Sequence, residues 1–144
     1  MWKAYLVDDE ELALKRLTRL LESTGEVEVI GSTQNPETAL DFLSNNQVDV
    51  VFLDIQMPAM NGFELLAALP RQPFVIFTTA YDQYALKAFE VHSIDYLLKP
   101  IEPEQLQRAL AKMSRIQPGA RQDFQALVEE LARSIRDPRP SARV

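Results

Sequence analysis

The sequence predicts an α/β domain in which a five-stranded parallel sheet is covered by helices on both faces. Short β-rich runs alternate with longer amphipathic ones five times over, the pattern of a parallel sheet with helical crossovers. The intervening helices, at around ten residues, are long enough for right-handed connections. Polar and charged residues collect just after the candidate strands, which is where ligands bind in open sheets of this kind.

Taken in order, Ala4–Val7 is the first strand and Glu11–Leu21 the first helix, with Leu12, Leu17, Leu20 and Leu21 on broadly one face. Val27–Gly31 is the second strand. Asn35-Pro36, an N-cap candidate followed by Pro at the first helical position, opens a helix through ETALDFL. The third strand, Val50–Leu53, ends in a lone carboxylate, Asp54, and a loop containing Pro58 and Asn61-Gly62. Phe63–Leu69 is the third helix and Phe74–Thr78 the fourth strand. Tyr84–Val91 forms a fourth helix through Ala85, Leu86, Ala88 and Phe89, Asp95–Leu98 the fifth strand, and Pro103–Met113 a fifth helix that opens on a Pro. Gln117-Pro118-Gly119 then breaks the chain. Phe124, Leu127, Val128, Leu131 and Ile135 recur at helical spacing over about 121–136, and PRPSARV (138–144) reads as linker or frayed end. The expected organisation is a main domain over 1–116 and a linker over 117–144.

Composition narrows the function classes. The chain has 144 residues, 47% hydrophobic and 25% charged, as in an ordinary globular protein. No apolar run approaches the length of a spanning helix, so no membrane role is expected. Zero cysteines exclude disulfides and thiolate metal sites and fit a cytoplasmic location. The net charge of −6 disfavours nonspecific attraction to nucleic acid. It is unevenly placed: residues 117–144 carry five Arg against four acids, so the first 116 residues hold −7.

Asp8 and Asp9 follow the first strand, Asp54 the third, Thr78 and Thr79 the fourth, and Lys99 the fifth. With a flavodoxin-like strand order, 2-1-3-4-5, the first and third strands are neighbours and three carboxylates converge. Repulsion among them calls for a cation. An all-oxygen carboxylate set suits Mg²⁺, which binds through one or two carboxylates plus waters and phosphate oxygens. A carboxylate is a competent nucleophile toward phosphorus, and phosphoryl transfer depends on positioning and charge neutralisation more than on a base. Asp54 therefore reads as a phosphate acceptor, with Lys99 and a threonine facing it.

The blocks VDDE (7–10), LDIQMPAMNG (53–62), FTTAYD (77–82) and DYLLKP (95–100) together resemble the receiver domain of two-component response regulators, over residues 1 to about 116. The resemblance implies that Asp54 is phosphorylated by a sensor histidine kinase. It implies that Asp9, Asp54 and the backbone carbonyl of Gln56 ligate Mg²⁺, with Asp8 acting through water. Thr79 would hydrogen-bond the phosphoryl group and Lys99 would pair with it; Thr79 and Tyr96 would form the conformational switch, and Lys99-Pro100 would be a cis bond. Gln56 and Tyr81 match positions that affect phosphoryl lifetime in the family. The stretch FTTAYDQYALKAFEVHSIDYLLKPIEPEQL is similar to receivers joined to a LytTR-type DNA-binding domain, which these residues do not include. The implied output is transcriptional, with DNA reached only through that domain. A homodimer would form through the face of helix 84–91, strand 95–98 and the helix from Pro103, or through helix 121–136.

Plainer readings exist for each residue. Asp8-Asp9-Glu10 suits a helix N-terminus, Thr79 suits any strand end, Lys99 suits a surface turn, and Tyr96 suits core or interface filling. Met57 and Met60 read as loop packing, and His92 has no partner motif. Helix 121–136 packs either on its own domain or on a partner. Three other functions compete with the leading one: a stand-alone receiver acting by protein contact, an aspartate-nucleophile phosphohydrolase of the haloacid dehalogenase type, and a phosphate-blind interaction module. The phosphohydrolase class wants an acid two residues after the nucleophile, where this chain has Gln56.

Overall fold

A computed structural model describes residues 1–80, 95–115 and Arg133. The expected helices 84–91 and 121–136, and with them Tyr81, His92 and nearly all of the linker, lie outside these residues. The strands are β1 (Trp2–Val7), β2 (Val27–Thr33), β3 (Val50–Asp54), β4 (Phe74–Thr79) and β5 (Asp95–Leu98). They pair in parallel in the order β2-β1-β3-β4-β5, the flavodoxin-like arrangement. The four described helices are α1 (Glu11–Ser23), α2 (Pro36–Asn45), α3 (Gly62–Ala68) and α4 (Pro103–Ser114). None of the described helices is long and apolar enough to cross a membrane.

Side chains alternate across each strand, and the alternation divides the core in two. Tyr5, Val7, Val51, Leu53, Val75 and Phe77 face α2 and α3, packing on Ala39, Leu43, Phe63, Leu65 and Leu66. Ala4, Leu6, Val50, Phe52, Ile76 and Leu97 face α1 and α4, packing on Leu14, Leu17, Leu21, Leu106 and Leu110. Burial on both sides is why β3 reads VVFL without a polar alternate: all five of its residues are buried, the terminal Asp54 included.

Three expectations need correction. Leu12 does not belong to the buried stripe of α1; it is 79% exposed, and the stripe is Leu14, Leu17 and Leu21. Leu12 lies about 200° around the helix from Leu14, so pointing Leu14 inward turns Leu12 out. β2 runs to Thr33, because its register on β1 shifts between Ala4, opposite Val29, and Tyr5, opposite Gly31. The extra residue bulges the strand. β3 also runs one residue further than expected, which brings Asp54 into the sheet opposite Thr78.

The helix starts follow capping chemistry. Asn35 accepts from the Glu37 amide at 2.8 Å, with Pro36 at the first helical position. Asn61 and Glu64 form a reciprocal capping box, the Glu64 amide donating to Asn61 Oδ1 at 2.8 Å and the Asn61 amide to Glu64 Oε1 at 2.9 Å. That box fixes where α3 begins, and so fixes the loop between Asp54 and α3.

Candidate functional site

Parallel strands in this order bring the tips of β1, β3 and β5 to one edge of the sheet. The backbone there is tied down: the Asp8 amide donates to the Thr33 carbonyl at 3.2 Å, the Ile55 amide to Thr78 at 3.3 Å, and the Lys99 amide to Thr79 at 2.8 Å. From this rigid edge Asp8, Asp9 and Asp54 each offer a carboxylate oxygen, all within 4.8 Å of one another. Asp8 and Asp54 are buried and Asp9 half-buried.

Lys99 is the cation that meets them. Its Nζ lies 2.8 Å from Asp8 Oδ2, 3.3 Å from Glu10 Oε1 and 3.7 Å from Asp54 Oδ2. Arg16 of α1 donates to the Ile101 carbonyl at 3.1 Å, which ties the segment just after Lys99-Pro100 to the neighbouring helix. The Lys99-Pro100 bond is cis, as expected.

One ammonium does not balance three acids. Burial, followed by the charge of Asp8, pushes the Asp54 carboxyl up from 3.8 to about 7 against the opposing pull of Lys99. Burial alone would lower the Lys99 ammonium, but the hydrogen bond to Asp8 and the charges of Asp54 and Asp8 outweigh it and hold the group above its usual value. The raised Asp54 carboxyl reflects burial and neighbouring negative charge that a single ammonium does not offset. The donors are all hard oxygens, they converge, and their charge is uncompensated, so they fit a divalent ion of the Mg²⁺ type.

Comparison with known proteins agrees with this geometry. A sequence profile described as the response regulator receiver domain matches residues 4–111. The chain belongs to the response regulator receiver family. A receiver is the regulatory domain of a response regulator. The chain is 46% identical over 117 residues to an uncharacterized response regulatory protein of Vibrio vulnificus, covering 80% of this chain and 48% of that protein. It is 48% identical over 118 residues to the sensory transduction protein LytT of Bacillus anthracis, again covering 80% and 48%. It is 40% identical over 131 residues to the transcriptional regulatory protein BtsR of Escherichia coli, covering 90% and 54%. The receiver thus spans about half the length of these relatives. Among solved structures, the response regulatory domain of mrkE from Klebsiella pneumoniae superposes with a TM-score of 0.66 at 33% identity, over 79% of this chain and 99% of that one.

The remaining site candidates of the receiver fall as follows. Thr79 is buried at the end of β4, one residue beyond the register partner of Asp54. Thr78, the partner itself, lines a cavity of about 240 Å³ together with Asp8 and Lys99. Tyr96 is half-buried on β5 and packs against the core cluster that faces α2 and α3. Gln56 is exposed in the loop after Asp54, whereas Met57 is buried in that same cluster, as loop packing requires.

Three residues make contacts at the site that the sequence does not reveal. Glu10 reaches Lys99 across 89 positions and Arg16 reaches Ile101 across 85. Both contacts exist only once β1 and β5 are folded into one sheet. Gly62 looked like a turn residue, but a Cβ there would sit 2.6 Å from the Asp54 carbonyl oxygen.

Proposed function

We propose that this receiver takes a phosphoryl group onto Asp54 from a sensor histidine kinase in a Mg²⁺-dependent reaction. The observation that carries the reading is the convergence of Asp8, Asp9 and Asp54 within 4.8 Å, with Lys99 3.7 Å from the acceptor. In the transfer, an Asp54 carboxylate oxygen forms a P–O bond as the P–N bond to the donor imidazole breaks, and the imidazole leaves with its electron pair.

Asp9, Asp54 and the Gln56 carbonyl would hold the ion, with Asp8 acting through water. When bound, Mg²⁺ supplies positive charge to the phosphoryl oxygens and keeps Asp54 ionised. The chain's own residues do the rest. Lys99, already within reach of Asp54, pairs with a phosphoryl oxygen, and Thr79 donates a hydrogen bond to another. The added charge of about −1.5 to −2 draws Thr79 toward the site, and Tyr96 repacks in response, shifting a two-state element.

The transcriptional output rests on the relatives. The matched residues make up 48% of LytT and 54% of BtsR, so residues 1–116 would be the receiver and 117–144 a linker to a LytTR-type DNA-binding domain. Dimerisation through the β5–α4 face or through helix 121–136 would carry the signal onward. A cytoplasmic location follows from the kinase partner.

Incubation with acetyl phosphate and Mg²⁺, followed by intact-mass spectrometry, tests the reading. One covalent phosphoryl group is expected on the wild type and none on Asp54→Asn or in the presence of EDTA. A label that survives in Asp54→Asn would sink the assignment.

A further inference from the structure

We infer that Glu10 is a positioning residue of this site, a placeholder carboxylate that holds the Lys99 ammonium off Asp54 until a phosphoryl group competes for it. The inference rests on the reading of Asp54 as phosphoacceptor and goes beyond it. Of the three carboxylates that meet Lys99 among the described residues, the two nearest belong to the loop after β1: Asp8 at 2.8 Å and Glu10 at 3.3 Å. The acceptor is the most distant, at 3.7 Å.

Asp8 is committed on both sides, since its Oδ1 accepts the Glu10 amide at 2.9 Å while its Oδ2 holds Lys99. Glu10 is different. Its side chain is 66% exposed and enters the site only at its tip, whereas Lys99 is 18% exposed. Glu10 forms no side-chain cap on α1, although it stands at the N-cap position. An exposed ion pair of this kind adds little to stability. Here it adds a competing acceptor that holds the ammonium by direct contact. A phosphoryl group brings three oxygens to Lys99 and displaces one loosely held carboxylate. Glu10 therefore sets how readily the lysine is released to the acceptor, at almost no cost to the fold.

The test uses Glu10→Ala and Glu10→Asp in the full chain, labelled with acetyl phosphate at Mg²⁺ saturating for each variant and read by intact mass. Glu10→Ala removes both contact and charge. Glu10→Asp keeps the charge, but one methylene less withdraws it from Lys99. Labelling is expected to accelerate about three- to ten-fold in Glu10→Ala, the scale of one charge contact in a partly solvated site. A gain of similar size is expected in Glu10→Asp and should persist at high salt, with urea midpoints unchanged. Equal rates in wild type and Glu10→Ala would overturn the inference. So would a Glu10→Asp rate equal to wild type beside a fast Glu10→Ala, because the field of the charge would then explain everything. If the wild type takes no label at all, the phosphoacceptor reading fails and this inference falls with it.

Discussion

Asp54→Asn is expected to stabilise the metal-free domain at pH 8 by about 2–4 kcal/mol, an unusual sign for a change at a buried polar residue. Asp54 is 6% exposed, and burial plus the charge of Asp8 lift its carboxyl from 3.8 to about 7. A folded-state value raised above the unfolded one means that the native state binds the proton more tightly. The stabilisation that proton provides is complete below about pH 4 and is lost as pH rises through 7. The span from 3.8 to about 7 corresponds to roughly 4 kcal/mol between the two limits. Asparagine keeps the shape and carries no charge, so it escapes the loss. It does not strand Lys99 either, because Asp8 and Glu10 still hold the ammonium at 2.8 and 3.3 Å. Urea denaturation in EDTA from about pH 4 to 9 measures this: the two proteins should converge toward pH 4, separate steadily as the pH rises to about 7, and keep a constant gap above it. Added Mg²⁺ should raise the wild type above pH 7 and leave Asp54→Asn nearly unmoved, since ion binding is what relieves the repulsion. Equal urea midpoints at pH 8 without metal would show that Asp54 is not electrostatically strained.

That strain explains how much of the site could be read from the sequence. Asp8, Asp9, Asp54 and Lys99 stand directly after apolar strands, and strand order alone carries them to one edge, so their convergence was legible before any coordinate. The strands themselves were legible because both faces of the sheet are covered, leaving VVFL and FVIFTT as nearly unbroken apolar runs. What was hidden depends on rotation or on long-range packing. Leu12 and Leu14 are equally apolar, and only the seating of α1 on Ala4, Leu6 and Phe52 decides which of them turns inward. The register shift opposite Tyr5 has a similar origin. A Cβ on Gly31 would meet the Tyr5 ring at 2.9 Å, and that ring stacks on Phe42 with centroids 4.5 Å apart. The bulge settles Gly31 of β2 against an aromatic pair whose members lie in β1 and α2. Glu10 was visible as an acid at a helix start, but its contact with Lys99 depends on the β5 tip.

Gly62→Ala is expected to destabilise the domain by about 2–3 kcal/mol, the usual scale for forcing a methyl into a packed site. The added Cβ would lie 2.6 Å from the Asp54 carbonyl oxygen, 3.2 Å from Leu53 Cγ and 3.3 Å from Ile55 Cα. Two of these three neighbours are backbone, and neither can step aside cheaply. β3 is clamped between β1 and β4, and the Gly62 amide is bonded to the Ile55 carbonyl at 2.8 Å. The capping box of Asn61 and Glu64 prevents α3 from sliding away along its axis. Relief must therefore come from moving the backbone at Asp54, so labelling by acetyl phosphate should fall as well. Gly25→Ala is the matched control. Gly25 has a positive φ of 72° with nothing within 4 Å of a new Cβ, so its cost is conformational alone, about 1 kcal/mol. It lies after α1, away from the strand tips, and should label like wild type. If Gly62→Ala proved as mild as Gly25→Ala in urea and labelled normally, the close seating of α3 on β3 would not be what holds Asp54 in place.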